Sequence, residues 1–225
     1  MVNIPPPAAS SSGAVINPLF CVGYPLDLAF TTKAPGDKSG QLSTVDSSGN
    51  TIFRAKRLAW SGFTQLVDLA GHPVVTMKAK FRTMHDRWQV FAGESTEPKD
   101  LLFSLKRTST FQLHDEWVVF LAANTKEEEC DFKITGSYRK KNYSIYRGNS
   151  SLAVAQMIKE HKLAGLSLGK HAYGASISPN CDYAFVCALA AIFHELNSGD
   201  PQTLGAVAAV AAGQAAGAAA GAAAG

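Results

Sequence analysis

The chain has no run of large apolar residues long enough to cross a bilayer, and its uncharged Ala/Gly stretch after Thr203 reads as a low-complexity tail rather than an anchor. Its densest apolar stretch lies between Tyr183 and Phe193, whereas a membrane-spanning helix needs about 20 such residues. Cysteine is scarce: Cys21, Cys130, Cys181 and Cys187 are the four present, and none forms a C-x-x-C pair. That spacing supplies neither a zinc ribbon nor a thioredoxin-like redox motif, so free thiols in a reducing compartment are expected. Charge of neither sign dominates. The 21 Lys and Arg residues against 18 Asp and Glu leave a net charge of +3, which does not demand a nucleic-acid partner.

Other absences remove reaction classes. Six histidines (His72, His85, His114, His161, His171 and His194) contain no pair at helix-face metal spacing. There is no glycine-rich phosphate loop and no G-x-S-x-G elbow. The expectation is a non-enzymatic protein with no cofactor and no metal. No basic start followed by an apolar run and a cleavage site is present at the N-terminus. The sequence therefore reads as intracellular and not secreted: cytoplasmic, with room for a peripheral membrane or nuclear pool.

What is present begins with that apolar stretch. From Tyr183 to Phe193 it is apolar on every face, so a helix there has to be buried on all sides. Asn180 or Asp182 can cap its start, and Asn197-Ser198-Gly199 with Pro201 can end it. Tyr183, Phe185, Val186, Leu189, Ile192 and Phe193 are its expected core residues. His194 complements the negative end of the helix.

The body before it reads as strands. Leu101, Phe103 and Leu105 alternate with Leu102, Ser104 and Lys106; Phe132 and Ile134 alternate with Asp131, Lys133 and Thr135. Val75, Met77, Ala79 and Phe81 oppose Val74, Thr76, Lys78 and Lys80, and Trp88 and Val90 oppose Arg87, Gln89 and Phe91. Turn signals at Ser48-Gly49-Asn50, Ala70-Gly71-His72-Pro73 and Gly148-Asn149 favour a sandwich or barrel. One short helix is expected from Leu152 to Lys162, capped by Ser150 or Ser151. The fold class is mainly β: a sheet enclosing a hydrophobic helix. Residues 1–16 read as a disordered leader, 17–199 as one domain, and 200–225 as a low-complexity Ala/Gly tail.

Several words of the sequence occur together in a familiar order. They are Met84-His85-Asp86-Arg87-Trp88-Gln89-Val90-Phe91, Leu101 to Arg107, Cys130 to Ser137, Ile145-Tyr146-Arg147-Gly148, Val154-Ala155-Gln156-Met157, and the helix from Pro179 to Asn197. With them the chain resembles the plant LURP-one-related family, whose fold is similar to the tubby C-terminal domain and to phospholipid scramblases. The resemblance implies a closed twelve-stranded antiparallel β-barrel around the C-terminal α-helix. It also implies a role in plant defence, with phosphoinositide or an anionic membrane surface, or signalling proteins, as partners. Scramblases carry an acidic calcium segment before the final helix and a cysteine cluster. Lys170-His171-Ala172-Tyr173-Gly174 is not acidic and no cysteine cluster exists here, which argues against scrambling. A helix filling the barrel also excludes a lipocalin-like lumen for ligands.

The candidate site is basic. Lys78, Lys80 and Arg82 repeat at period two and share a strand face. Arg54, Lys56 and Arg57 are dense, as are Lys106 and Arg107. Arg139, Lys140 and Lys141 fall between two strand runs, where a hairpin loop is expected. Each basic residue near an anionic membrane is worth about 1 kcal/mol. The competing reading is a solvated face that keeps the barrel soluble, with Glu127-Glu128-Glu129 close by in sequence. His85, Asp86, Arg87 and Trp88 alternate in direction on a strand and cannot converge on one substrate.

Overall fold

The computed structural model describes residues 13–34, 39–59, 61–80, 87–108, 116–159 and 172–198. The alternating segments form twelve strands: β1 Leu26–Thr31, β2 Ser43–Val45, β3 Thr51–Arg57, β4 Thr64–Val67, β5 Pro73–Lys80, β6 Arg87–Ala92, β7 Leu101–Thr108, β8 Glu116–Leu121, β9 Phe132–Ser137, β10 Asn142–Arg147, β11 Ala153–Ile158 and β12 Tyr173–Ile177. Each pairs antiparallel with its chain neighbours, and β1 pairs with β12 to close the barrel. Closure leaves no free sheet edge.

The helix α1, Tyr183–Ser198, fills the lumen. Every residue from Ala184 to Phe193 is buried, and Phe185, Val186, Leu189, Ile192 and Phe193 belong to the core. Half of that run is small, namely Ala184, Cys187, Ala188, Ala190 and Ala191, which keeps the helix narrow enough for the barrel to close round it. The large side chains bridge to the wall: Phe185 meets Phe103 edge-on at 5.1 Å and Phe132 at 4.8 Å. Tyr183 is only half-buried, against Phe20 and Phe53.

The barrel has two distinct ends. At the proximal end, where α1 begins, lie Leu26, Ile177, Phe132 and Leu121. At the distal end, where α1 leaves, the ladders finish on Arg57–Thr64, Lys80–Arg87, Thr108–Glu116 and Ser137–Asn142. Four register shifts, at Thr44/Val45, Leu66/Val67, Val90/Phe91 and Ile145/Tyr146, fall towards the proximal end. Bulges increase local twist and bend the sheet. Phe91 is buried although alternation with Val90 puts it outside, and it lies opposite Thr76 on the outer side, not in the core around α1.

Two expectations need correction. The segment expected to be helical from Leu152 to Lys162 instead forms β11, hydrogen-bonded on both sides to β10 and β12. Ala155 and Met157 are buried while Gln156 and Ile158 are exposed, a period of two. Alanine, glutamine and methionine favour helix locally, but two neighbouring strands override that preference. The leader expected over residues 1–16 is also shortened: Gly13 is buried and the backbone of Val15 and Ile16 is bonded into the structure. Residues 1–12 and the expected tail over 200–225 lie outside the described residues.

Candidate functional site

The basic residues separate into two environments. On the barrel's outer side, Lys80 of β5, Arg87 of β6 and Lys106 of β7 stand in one register row. Three adjacent cations repel, and acidic residues from the β8–β9 loop offset them. Arg87 is ion-paired with Glu127. Lys106 lines a shallow cleft of about 370 Å³ with Glu128 and Glu129. Beside it Lys133 Nζ lies 2.8 Å from Glu116 Oε2. Val118 and Phe120 form the apolar floor of the cleft. Lys78 also points outward, its Nζ 5.2 Å from the centroid of Phe63. Arg82, His85 and Asp86 lie outside the described residues; Trp88 is buried in the core.

The distal end is different. Tyr138, Arg139, Lys140 and Lys141 connect β9 to β10, with Lys141 N–H donating to the Tyr138 carbonyl at 3.0 Å and Lys141 at a φ of 55°. The hairpin leaves β9 through Gly136, whose φ is 116° and where a Cβ would sit 2.6 Å from the Asn142 carbonyl oxygen. Only glycine tolerates both conditions. Arg139 and Lys140 are exposed.

Beneath them the barrel is closed by aromatic rings. Tyr138 stacks on Phe193 at 5.2 Å, and Trp117 meets both Phe193 and Tyr138 edge-on at 5.4 and 5.8 Å. Three of the candidate cations lie over these rings or their neighbour. Arg107 sits 5.9 Å from Trp117, Arg139 5.9 Å from Tyr138, and Lys141 4.6 Å from Tyr173. Ring faces attract cations and hold the long side chains against the barrel end. Arg107 thus faces the interior with Trp117, opposite to Lys106, so the sequence pair Lys106–Arg107 is divided between the two environments.

Burial lowers the Lys141 pKa, and Lys159, at the end of β11, lowers it further. Burial also pushes down the His194 pKa, with a further contribution from Lys141. These two effects place Lys141, Lys159 and His194 within electrostatic reach of one another. Among the described residues of this end, Glu195 is bonded to Arg57 at 3.5 Å and Glu116 stands at the start of β8. The Asn197 side-chain amide ties the end of α1 to the Tyr138 carbonyl at 3.0 Å.

The proximal end has the opposite character. Asp27, Asp46, Asp68, Glu94, Glu97 and Asp100 occupy or flank its turns. Lys99 there is paired with Glu97 at 2.9 Å. The positive end of the α1 dipole therefore faces the acidic end of the barrel, and the negative end faces the cations, the favourable alignment in both cases.

One residue with a large structural role has no periodic signature. Asp182 is fully buried, caps α1 through Oδ1 to the Phe185 N–H at 3.1 Å, and receives three further amides on Oδ2. Sequence reading offers it only as one of two possible caps. The other, Asn180, takes a φ of 60° in the preceding turn. Among the described residues no group of three or more His, Cys, Asp or Glu is placed to hold a metal ion, and no helix is long and apolar enough to cross a membrane.

A twelve-stranded barrel filled by its own C-terminal helix, with a cationic rim where that helix leaves, defines the class. The model of the LURP-one-related family matches residues 26–194. Protein LURP-one-related 15 of Arabidopsis thaliana is 38% identical, with 86% of this chain and 90% of that protein aligned. Protein LURP-one-related 10 of the same plant is 33% identical over 84% of this chain and 99% of its own length. An X-ray structure of an Arabidopsis thaliana protein superposes with a TM-score of 0.64 at 33% identity, covering 82% of this chain and 99% of the other. The chain belongs to the LURP-one-related family. The names of these relatives denote no enzymatic activity.

Proposed function

We propose that this protein is a non-enzymatic binding module that tethers reversibly to anionic, phosphoinositide-containing membranes. Its setting would be the plant defence role that the family resemblance implies, with a cytoplasmic and a peripheral membrane pool. The observation that carries this reading is the distal cluster of Arg107, Arg139, Lys140, Lys141 and Lys159 at one end of the barrel, with Arg107, Arg139 and Lys141 lying over aromatic rings. Guanidinium and ammonium groups on a rigid support capture phosphate without ordering a loop first.

Co-sedimentation with phosphatidylcholine vesicles, with and without a phosphoinositide, across a salt series tests this. Binding is expected to require phosphoinositide and to weaken as salt rises. Reversing Arg139, Lys140 and Lys141 to glutamate is expected to abolish it while the barrel stays folded. Unchanged binding by that folded variant would remove the site assignment. No binding by the folded wild type would favour a protein-interaction scaffold instead, and calcium-dependent lipid transfer in reconstituted vesicles would favour scrambling.

A further inference from the structure

Large apolar side chains are not left in solvent evenly over this barrel. Among the described residues five stand exposed, and four of them, Leu19, Tyr24, Leu69 and Leu152, lie at the proximal end. Leu19 is 83% exposed and Leu152 78%. They share one arc of the mouth. Leu19 belongs to a single 3-10 turn whose last residue, Phe20, rests edge-on against Phe53 of β3 at 5.7 Å and Tyr183 of α1 at 5.3 Å. Arg54 pairs with Val67, so Phe53 runs level with the β4–β5 turn that carries Leu69. Tyr24 leads into β1, and Leu152 leads into β11, with β12 alone between those two strands. The arc therefore runs from the β4–β5 turn through β3, β2, β1 and β12 to the β10–β11 turn.

The rest of the mouth, from β5 to β10, is acidic. Every strand connection at this end lies within the described residues, and residues 1–12, which precede it in the chain, contain no Lys, Arg, Asp or Glu. Three acidic residues fall in 93–100 and four in 122–131, beside Lys99 and Lys126. The apolar arc adds Asp46, Asp68 and the buried Asp182, and its connections hold no lysine or arginine. Glu127 is neutralised by Arg87, and Arg147 closes β10 at the same end. With Glu127 and Asp182 set aside, eight carboxylates stand against Lys99, Lys126 and Arg147. An exposed apolar patch rimmed by charge of one sign is the signature of an interaction face, and the sign selects the partner. Nucleic acid and anionic lipid are repelled, whereas a chain carrying both apolar and basic side chains matches both halves of the mouth.

We infer that the proximal mouth docks a basic, amphipathic protein segment, whose apolar side chains cover Leu19, Tyr24 and Leu69 and whose lysines or arginines face the 93–100 and 122–131 loops. This does not rest on the membrane reading above, because none of its residues belongs to the distal cluster. The face is built before the partner arrives. Asp182 Oδ2 holds the amides of Val15, Ile16 and Asn17, which lead directly into the Leu19 turn, so docking orders no loop at this point. The carboxylates supply attraction and its salt dependence, and the covered leucines set how long the segment stays.

The test titrates the full-length protein into a fluorescein-labelled model peptide of leucine and lysine, patterned as an amphipathic helix of about 18 residues and so about 27 Å long. One control peptide carries glutamate in place of lysine, and another carries serine in place of leucine. Fluorescence anisotropy is read across a salt series. The leucine–lysine peptide is expected to bind, to weaken as salt rises, and to bind at least about tenfold more tightly than either control. The variants Leu19→Ser/Leu69→Ser and Glu94→Lys/Glu128→Lys, all at exposed positions, should each weaken binding about tenfold, while Lys140→Glu in the distal hairpin leaves it unchanged. Circular dichroism and the melting temperature establish that each variant is folded. Absence of binding by the folded wild type overturns the inference. Binding that survives unchanged in both folded proximal variants overturns it too, since the peptide then sits elsewhere. Equal binding of the leucine–glutamate peptide overturns the basic character assigned to the partner.

Discussion

The Oδ2 oxygen of Asp182 accepts the backbone N–H of Ile16 at 2.7 Å, across 166 positions of sequence. Val15 and Asn17 donate to the same oxygen, each at 3.1 Å, while Oδ1 caps α1 at Phe185. One buried carboxylate thus fixes the start of the central helix and the start of the described chain. Asp182→Asn keeps the shape but can replace the acceptor with an NH2 group facing three amides. It is expected to destabilise the barrel by at least about 3 kcal/mol, since hydrogen bonds to a charged group are worth about 1.5–3 kcal/mol each. Urea denaturation gives the loss, and amide exchange at Val15, Ile16 and Asn17 should accelerate. A loss of under about 0.5 kcal/mol, the scale of an ordinary surface change, would refute this role.

Gly13 completes the same dock from the other side. A Cβ placed there would lie 1.9 Å from the Asn180 carbonyl oxygen, an approach that backbone cannot relieve without moving. Gly13→Ala is expected to detach residues 13–17 from the turn before α1 while leaving the closed barrel intact. Limited proteolysis should then cut in this segment, and the melting temperature should fall. Resistance to protease equal to that of the wild type would show that the turn absorbs the methyl group.

Tyr143 makes the opposite kind of prediction. Its hydroxyl is buried among Phe193 and the distal aromatics without a hydrogen-bond partner, and burial drives its pKa well above the ordinary value of 10.0. An unsatisfied buried polar group costs about 1–3 kcal/mol. Tyr143→Phe removes it and keeps the ring, so the variant should be more stable by about 1 kcal/mol, read as a higher denaturation midpoint with an unchanged slope. A less stable variant would mean that the hydroxyl has a partner in solution, such as a bound water.

The helix and the strands were legible because burial on all sides and burial on alternate sides leave different periods in the sequence. Phe185 and Ile192 announce the first; Phe103, Leu105 and Ile134 announce the second. The segment around Met157 misled because Ala155, Met157 and Ile158 fit either period when read alone, and the pairing with β10 and β12 that decides between them is not written in the segment itself. The cations were legible as types but not as a surface. Lys106 and Arg107 are neighbours in sequence and point to opposite sides of the sheet wall. Arg107, Arg139 and Lys141 become one rim only when β7, β9, β10 and β12 are closed into a barrel. Asp182 was legible as a cap and illegible as an anchor, because its other partners belong to a segment whose composition reads as disordered.

The exit of α1 also sets a pH dependence. His194 is half-buried, and burial first and Lys141 second hold its imidazole below the ordinary pKa of 6.5. In the unfolded chain it takes up a proton near 6.5, while in the folded barrel it does so only at lower pH. The unfolded state therefore binds more protons between those two values, and stability falls as pH drops from about 6.5 towards the folded value. Above 6.5 both states are neutral at this position and it contributes no slope. His194→Gln removes the titration and should flatten the stability profile between about pH 6.5 and pH 5, above the range where carboxylates begin to dominate. Urea titrations of both proteins at several pH values measure the difference. Parallel profiles would mean that His194 protonates equally well in the folded state, which would place its ring in solvent and out of reach of Lys141.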